Sequence, residues 1–566
     1  MTQHTALTAK LKAVLASPRL SAVAAQSFSS GLPLGLVTVS IPAWMAMTGA
    51  DIRTVGIVTA AQAPYAFKFL WSPLVERLSF PILGGKRGWT LAAQLTMALL
   101  TGVLALQADA PSPGAVIVLA FALAFASATQ DIAVDAYAVE TLEKEEQGAA
   151  VGLRTAVYRA AMWIGGSIAI SLSGVCLLSP ERPLGWGWTL GIMALLFLLM
   201  TPSAFLAPAP AHPPPRPQSF AESVVAPFAG FLAKPRALEI VAFLLLYKLA
   251  DNLAVSLVRP FLVQTGFSPF MVGVASGTVG LAATLAGTFL GGLLTGRMGV
   301  GRALWVFGIL QACGNAGYAA VAASGPDALL LYAATILDSG TSGLGTGAFM
   351  VLLLRLTSKR FSATQYALFS SMFALGRTLC GPLASILASA FGWRDFFLLS
   401  MVFSLPGLVL LHRFVPWGTR ELPAGLEGGG DEASDAASDA DLWRDIPWKK
   451  LARPSVCGFA LAFAASAAVL AFLDALKAWD AGAPFQASVW LRGFLCPDSL
   501  GGIQPLLGAV CVGLGAALAR AAAGIRALRK GQAASSPPSD QASPPGSGAP
   551  SGEKGSENEH ERLSAP

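Results

Sequence analysis

Nine ionisable residues stand in stretches that are otherwise apolar: Lys68, Asp131, Asp135, Arg159, Lys248, Asp251, Arg259, Asp338 and Arg377. Away from water each costs a few kcal/mol or more, so each needs a partner or a water-filled cavity. Asp131 and Asp135 are four apart and share a helix face. Two carboxylates that close resist being ionised together, which suits a site that takes up and releases a proton. The plainer alternative pairs each of them with Lys68 or Arg159. Lys248 and Asp251, three apart, can pair within one helix, and Arg259 falls on nearly the same face as Lys248. Arg159 and Arg377 hold matching places: Gln147 precedes the one, and Gln365 the other, by twelve residues. A cavity arginine grips carboxylate or phosphate through its planar fork, or it pairs structurally with Asp131 or Asp338. With five cationic and four anionic members, the set leans towards an anionic or zwitterionic ligand.

The elements that must position these residues are membrane helices. The chain has 566 residues, of which 54% are hydrophobic and 12% charged, with a mean hydropathy of +0.60. A soluble domain carries roughly 25% charged residues. The apolar runs are long and continuous, near the roughly 20 residues of a spanning helix and unlike the short alternating strands of a barrel. The expected fold class is an all-α polytopic membrane protein with two six-helix halves and two extra C-terminal transmembrane helices. The expected spans are 21–47, 54–75, 88–107, 114–140, 150–173 and 187–207, then 237–262, 270–295, 303–323, 328–354, 364–391 and 394–415, and finally 455–475 and 503–525.

That gives an N-terminal half over 1–207, a Pro-rich linker over 208–236, and a C-terminal half over 237–415. A Gly/Ala/Ser/Asp-rich linker over 416–454, the two added spans over 455–525 and a disordered tail over 526–566 follow. Proline at the density of Pro213-Pro214-Pro215 forbids a long helix in the first linker. Lysine and arginine concentrate on one side, among them Lys86, Arg87, Arg297, Arg302, Arg355, Lys359 and Arg360. The other side holds Arg53, Arg182, Arg394, Lys477 and Arg492. The positive-inside rule then puts both termini in the cytoplasm. The segment before Arg19 reads as a cytoplasmic lead, not a removed signal.

The four histidines (His4, His212, His412 and His560) lie in tails, a loop and a helix end, and the six cysteines show no CxxC spacing. This argues against a histidine catalytic centre, a buried metal site and a disulfide framework, so no cofactor is expected. Nucleic acid is not expected either. Glu140 reads as a solvated helix end, Trp44 as an interface anchor, and Gly287, Gly291 and Gly292 as close-packing sites. Pro33 and Pro42 mark breaks tolerable where backbone lines a cavity. Arg77 with Lys86-Arg87, and Arg297 with Arg302, are either plain positive-inside charge or braces at helix ends.

Several segments together resemble the AmpG-type muropeptide permeases, in the larger family that includes acetyl-CoA transporters. They are Ser30 to Leu36, Ala66 to Arg77, Ala128 to Ala136, Leu246 to Leu257, Arg302 to Tyr318 and Phe361 to Arg377. The resemblance covers roughly residues 20–420, and the two added spans fit the same layout. It implies a major facilitator fold and proton-driven import of anhydro-muropeptides from periplasm to cytoplasm in cell-wall recycling. It maps an essential span-four aspartate onto Asp131, a Tyr-Arg pair onto Tyr158-Arg159, a Tyr-Lys-x-x-Asp set onto Tyr247, Lys248 and Asp251, and a Gly-Arg pair onto Gly376-Arg377. Two departures stand out: Gln130 to Leu142 resembles the acetyl-CoA transporters equally well, and Asp338-Ser339-Gly340 stands where a longer acidic or amide side chain belongs.

The expectation is a monomeric proton symporter in the bacterial inner membrane, working by alternating access, and not an enzyme. Asp131 and Asp135 handle the proton. Lys68, Tyr158, Arg159, Tyr247, Lys248, Asp251, Arg259, Asp338 and Arg377 bind substrate or gate, and Gln62, Gln130, Asn252 and Asn315 line a polar cavity. The alternatives are a transporter of acetyl-CoA or another anionic metabolite, and a sensor or scaffold that does not transport.

Overall fold

The computed structural model describes residues 17–50, 58, 61–80, 82–175, 184–211, 220–233, 236–423, 426, 448–480, 486–495 and the single positions 513, 517, 520, 523 and 524. Among these residues nine helices are long and apolar enough to cross a membrane. In chain order the elements are α1 (Pro18–Met47), α2 (63–77), α3 (Gly85–Leu106), α4 (Pro113–Thr141), α5 (144–173), α6 (Gly185–Leu206) and α7 (Phe220–Ala233). There follow α8 (Ala237–Gln264), α9 (Met271–Met298), α10 (Val300–Ser324), α11 (Ala328–Leu356), α12 (362–391), α13 (393–414), α14 (Trp448–Asp480) and α15 (Ala487–Leu495). Apart from those single positions, the second added span lies outside the described residues, as do the tail and the linker between Gly428 and Asp441.

The helical run Ser362–Val402 turns at Gly392, whose φ of 76° only glycine adopts cheaply. That turn falls where the expected boundary between two spans lay. α2, α5 and α12 are not among the nine. A tight turn at Lys68–Leu70 splits α2, and a π turn at Ile164–Ile168 splits α5. These broken or more polar helices are the ones that carry Lys68, Arg159 and Arg377.

Among the described residues apolar burial falls into four clusters, the smallest of which joins α2 and α4 to α12 through Val75, Ile132 and Ala136 against Ala363 and Ala367. Of the other three, one draws on α1 to α6 and includes Leu36, Met97, Leu123 and Phe197. A second draws on α8 to α13 and includes Phe261, Tyr318 and Phe397. A third joins both sets at one end of the molecule, through Val23, Tyr137, Val151, Phe243, Leu304, Phe349 and Phe369. The two helix sets are therefore packed together at the end where α1 begins, while towards the other end each keeps a core of its own.

Small residues bring helices into backbone contact. A Cβ on Gly343 would lie 2.6 Å from the Thr284 carbonyl, and one on Gly347 would lie 2.6 Å from the Gly292 amide, so α9 and α11 touch along the glycine face. Gly292 also faces the Gly148 carbonyl of α5, which seams the first set to the second. In α1 a π turn at Leu36–Ser40 follows Pro33 and meets the π turn of α5. There the Ser40 hydroxyl lies 2.7 Å from the Gly165 carbonyl and 2.8 Å from that of Gly166.

Within 208–236 a 14-residue helix, α7, follows the prolines and packs on α12. Its Phe231 ring lies 4.9 Å from Phe369, and the Gln365 side-chain amide donates to the Pro227 carbonyl at 3.0 Å. Trp44 is fully buried against Trp186 and is no interface anchor. Its ring is large enough to fill the α1/α6 seam, and burial there outweighs the cost of an indole N–H left without a partner.

Candidate functional site

Asp131 stands ten residues before the end of α4 at Thr141. At 1.5 Å per residue that is about 15 Å, half-way through a hydrocarbon core of about 30 Å. Four helices converge there. Lys68 of α2 places Nζ 3.2 Å from Asp135 Oδ2 and 3.8 Å from Asp131 Oδ2. Arg154 of α5 donates to Asp135 Oδ1, and Ser30 of α1 donates to Asp131 Oδ1. Tyr65 and Tyr158 lie within electrostatic reach of Asp131. Two cations thus face two carboxylates, and the charges cancel. The members are unequally held: the Asp131 side chain is 16% exposed and the Asp135 side chain 7%. Asp131 is the more open and the more weakly paired.

Sequence reasoning missed Arg154. It stands in the first turns of its helix, where basic residues are ordinary, and nothing in its spacing to Asp135 marks it. Arg159 is half-buried, but the guanidinium that reaches Asp135 belongs to Arg154. Arg377 lies in α12, and its side chain is outside the described residues. Ser30 was passed over because a serine in a membrane helix carries no signal by itself.

A second cluster sits in the other helix set. α8 is interrupted at Lys248, whose φ/ψ of −100°/9° leave the helical region. Its Nζ lies 3.1 Å from Asp251 Oδ2, 2.9 Å from the Ser342 carbonyl and 3.4 Å from the Ser342 hydroxyl, which itself donates to Asp251 at 2.8 Å. The local Lys248–Asp251 pair is as its spacing suggested. Asp338 of α11 is buried beside them. Tyr247 points elsewhere: its hydroxyl donates to the Leu304 carbonyl at 2.9 Å and its ring stacks on Phe349. Arg259 is exposed and opens on a cavity of about 340 Å³ lined by Val263, Val272 and Ser276.

The polar wall expected of the amides is only partly there. Gln62 is exposed, whereas Gln130 is fully buried and donates to the Ser29 hydroxyl. Asn315 is fully buried too, bridging the Ala250 carbonyl at 3.4 Å and the Ser400 hydroxyl at 2.8 Å, and Asn252 is buried at 8% exposure. Gln130 and Asn315 therefore hold helices together instead of facing open volume. Among the described residues no group of three or more His, Cys, Asp or Glu is placed to hold a metal ion.

The joined end carries a polar latch. Glu76 Oε1 accepts from Lys86 Nζ at 2.8 Å, and its Oε2 accepts the Thr364 backbone N–H at the start of α12 at 3.0 Å. Ser362 donates to Glu140 at 2.6 Å, with Lys86 Nζ 3.9 Å from the same oxygen. Glu140 is thus no solvated helix end: its side chain is 6% exposed because α12 covers it. Arg355 Nε donates to Gln147 Oε1 at 2.7 Å, and Arg360 pairs with Glu222 of α7 at 3.0 Å. Of the suggested braces, Arg87 donates to the Ala207 carbonyl at 2.6 Å, while Arg77 and Arg297 are exposed.

The sequence profile of the Major Facilitator Superfamily matches residues 23–376, and a second time 252–531. The anhydromuropeptide permease of Escherichia coli K12 is 37% identical over 399 residues, covering 70% of this chain and 80% of that protein. This chain belongs to the AmpG-type permeases of the major facilitator superfamily. A putative transporter AmpG 4 of Rickettsia conorii is 28% identical, covering 68% of this chain and 93% of its own. The fold is that of solved facilitators. The E. coli fucose:proton symporter matches with a TM-score of 0.54 at 15% identity, covering 69% of this chain and 96% of its own. A bacterial homologue of the iron transporter ferroportin, in an outward-facing state, matches with 0.52 at 14% identity, covering 70% and 99%. The permease is an integral membrane transporter, and its two charge clusters sit in different helix sets of that fold.

Proposed function

We propose that this permease imports anhydro-muropeptides from periplasm to cytoplasm across the inner membrane, coupled to protons, by alternating access. The observation that carries the mechanism is the cluster at Asp131, about two-thirds of the way along α4, just beyond the joined end. Facilitator sites lie near the midplane between two repeats that rock about them. The 1–207 and 237–415 halves are those repeats, and their joined end is cytoplasmic by the positive-inside argument. The conformation is then outward-facing, with the latch of Glu76, Lys86, Glu140 and α12 closed.

In this reading Asp131 is the coupling carboxylate. Lys68 serves Asp135 at the shorter distance, which leaves Asp131 with one serine hydrogen bond and a distant ammonium. Protonating Asp131 frees Lys68 wholly to Asp135 and removes a negative charge from the cavity floor. An anionic sugar-peptide then approaches Lys68, Arg154 and Arg159 with less repulsion. Rocking opens the latch, and loss of the proton to the cytoplasm restores the repulsion that expels the cargo.

The test is uptake into liposomes by the full chain under an inward proton gradient, with labelled anhydro-muropeptide beside labelled acetyl-CoA. Gradient-dependent muropeptide uptake supports the proposal. Uptake of acetyl-CoA alone moves the substrate to the other branch, and uptake of neither overturns transport of both.

A further inference from the structure

Among the described residues the second charge cluster does not balance: Lys248 is the one cation within hydrogen-bond reach, against Asp251 and Asp338. An ammonium has three donors. Those of Lys248 are directed at Asp251 Oδ2, the Ser342 carbonyl and the Ser342 hydroxyl, so none remains for Asp338. Asp338 is 3% exposed, and no hydrogen bond or ion pair reaches its carboxyl from any described residue. The neighbouring Thr341 hydroxyl turns to main-chain oxygens of Leu337 and Asp338 instead.

The groups around it make the case stronger. From α8 it faces Lys248 and Asp251, and from α10 the Tyr318 phenol. From α12 the buried Cys380 shares the field of Asp251. α9 offers glycine, alanine and threonine alongside α11, with its arginine at the far end. On α10 the buried Asn315 Oδ1 has no partner, and a Cβ on the adjacent Gly314 would come 3.7 Å from Asp338 Oδ1. An isolated carboxylate here would be a buried, unpaired charge beside a second negative charge, which proteins avoid by neutralising the group. A neutral carboxyl has one O–H to donate, and this wall holds an acceptor that lacks a donor.

We propose that Asp338 is a second proton-binding carboxyl, occupied by a proton in the conformation seen here. The atoms balance simply: an O–H bond forms at the carboxyl with a proton from water, and breaks when Lys248 leaves Asp251 and Ser342 to neutralise Asp338 instead. Asp338 lies one helical turn from Ser342 on the side away from the joined end, so its proton exchanges with the open side. Its consequence for transport rests on the proton-coupled reading above; its protonation does not.

The test uses the full chain in lipid nanodiscs, without substrate, and records infrared difference spectra as the pH is stepped. At about pH 7, roughly three units above the ordinary aspartate value, wild type should show the carbonyl stretch of a neutral carboxyl. Asp338→Asn should remove that band and Asp131→Asn should keep it. Asparagine has the shape of the neutral acid, so the fold is retained. Asp251→Asn should remove the band as well, because Lys248 is then free to hold Asp338 ionised. A band absent from wild type, or unchanged in Asp338→Asn, overturns the proposal. So does a band abolished by replacing choline chloride with sodium chloride, which would assign the site to a metal cation. In liposomes Asp338→Asn should lose gradient-driven accumulation of anhydro-muropeptide by at least about tenfold. If wild type itself moves no muropeptide, the substrate reading fails while the infrared band still decides the role of Asp338.

Discussion

At the residue scale, the cluster at Asp131 separates two jobs that adjacent carboxylates could have shared. Asp135 is held by both Lys68 and Arg154, and Asp131 by Ser30 with Lys68 at longer range. Asp131→Asn should therefore abolish gradient-driven uptake while leaving the melting temperature near wild type; uptake at the wild-type rate would remove Asp131 from coupling. Arg154→Ala leaves a buried carboxylate with half its neutralisation, a change that costs about 3–5 kcal/mol in buried pairs. It should lower the melting temperature markedly. Arg154→Ala with Asp135→Asn should recover much of that loss, since the two share one interaction. Additive losses would show that the pair is not the reason Arg154 is there.

At the element scale, each cluster's lysine stands at a break in its helix: α2 tightens at Lys68 and α8 is interrupted at Lys248. Backbone irregularity inside a membrane is tolerated where it is buried in protein or lines a cavity, and here it re-aims a long side chain into the cluster. The seam between the sets is made differently, by backbone contact between Gly148 and Gly292. Gly292→Val would put a branched side chain against the Gly148 carbonyl and force α5 from α9. Spin labels at the exposed positions Arg77 and Arg297, each replaced by cysteine, should report a longer and broader distance in that variant. An unchanged distance would mean that this contact does not set the closed end.

At the scale of the whole molecule, the latch and the two separate cores fit one state of the proposed rocking. Four apolar clusters, two shared and two private, are what a structure needs if one end can part without exposing either half's interior. Glu76→Gln with Glu140→Gln removes both carboxylate charges that face α12 and weakens the hydrogen bonds they accept. A loss of about 1.4 kcal/mol would shift the closed-to-open ratio roughly tenfold. The same labelled pair should then show a second, longer distance, and muropeptide exchange should lose part of its gradient dependence. A single closed distance would show that apolar packing alone holds this end.

Much of this was legible along the chain. Hydropathy marks the spans because no water satisfies the backbone inside a bilayer. The Lys248–Asp251 pair is local, three residues on one helix. The α9 glycines recur at helical spacing, and the boundary near Gly392 is written in the chain. None of these depends on how one helix is turned towards another. The partner of Asp135 does. Arg154 and Arg159 are five residues apart, about 140° around the helix at 3.6 residues per turn, so the rotation of α5 decides which one faces α4. That rotation is set by contact with α1, where Gly31 and Gly35 lie under the Tyr158 and Met162 carbonyls and Gly165 under that of Leu32. Glu140 depends on packing in the same way: at the end of α4 it would meet water, and α12, more than 200 residues later in the chain, covers it. The sequence determined which stretches cross the membrane and which residues are too costly to leave unpartnered there. Only the tertiary structure decided which of them meet, because rotation and cover are properties of helix pairs and not of either helix alone.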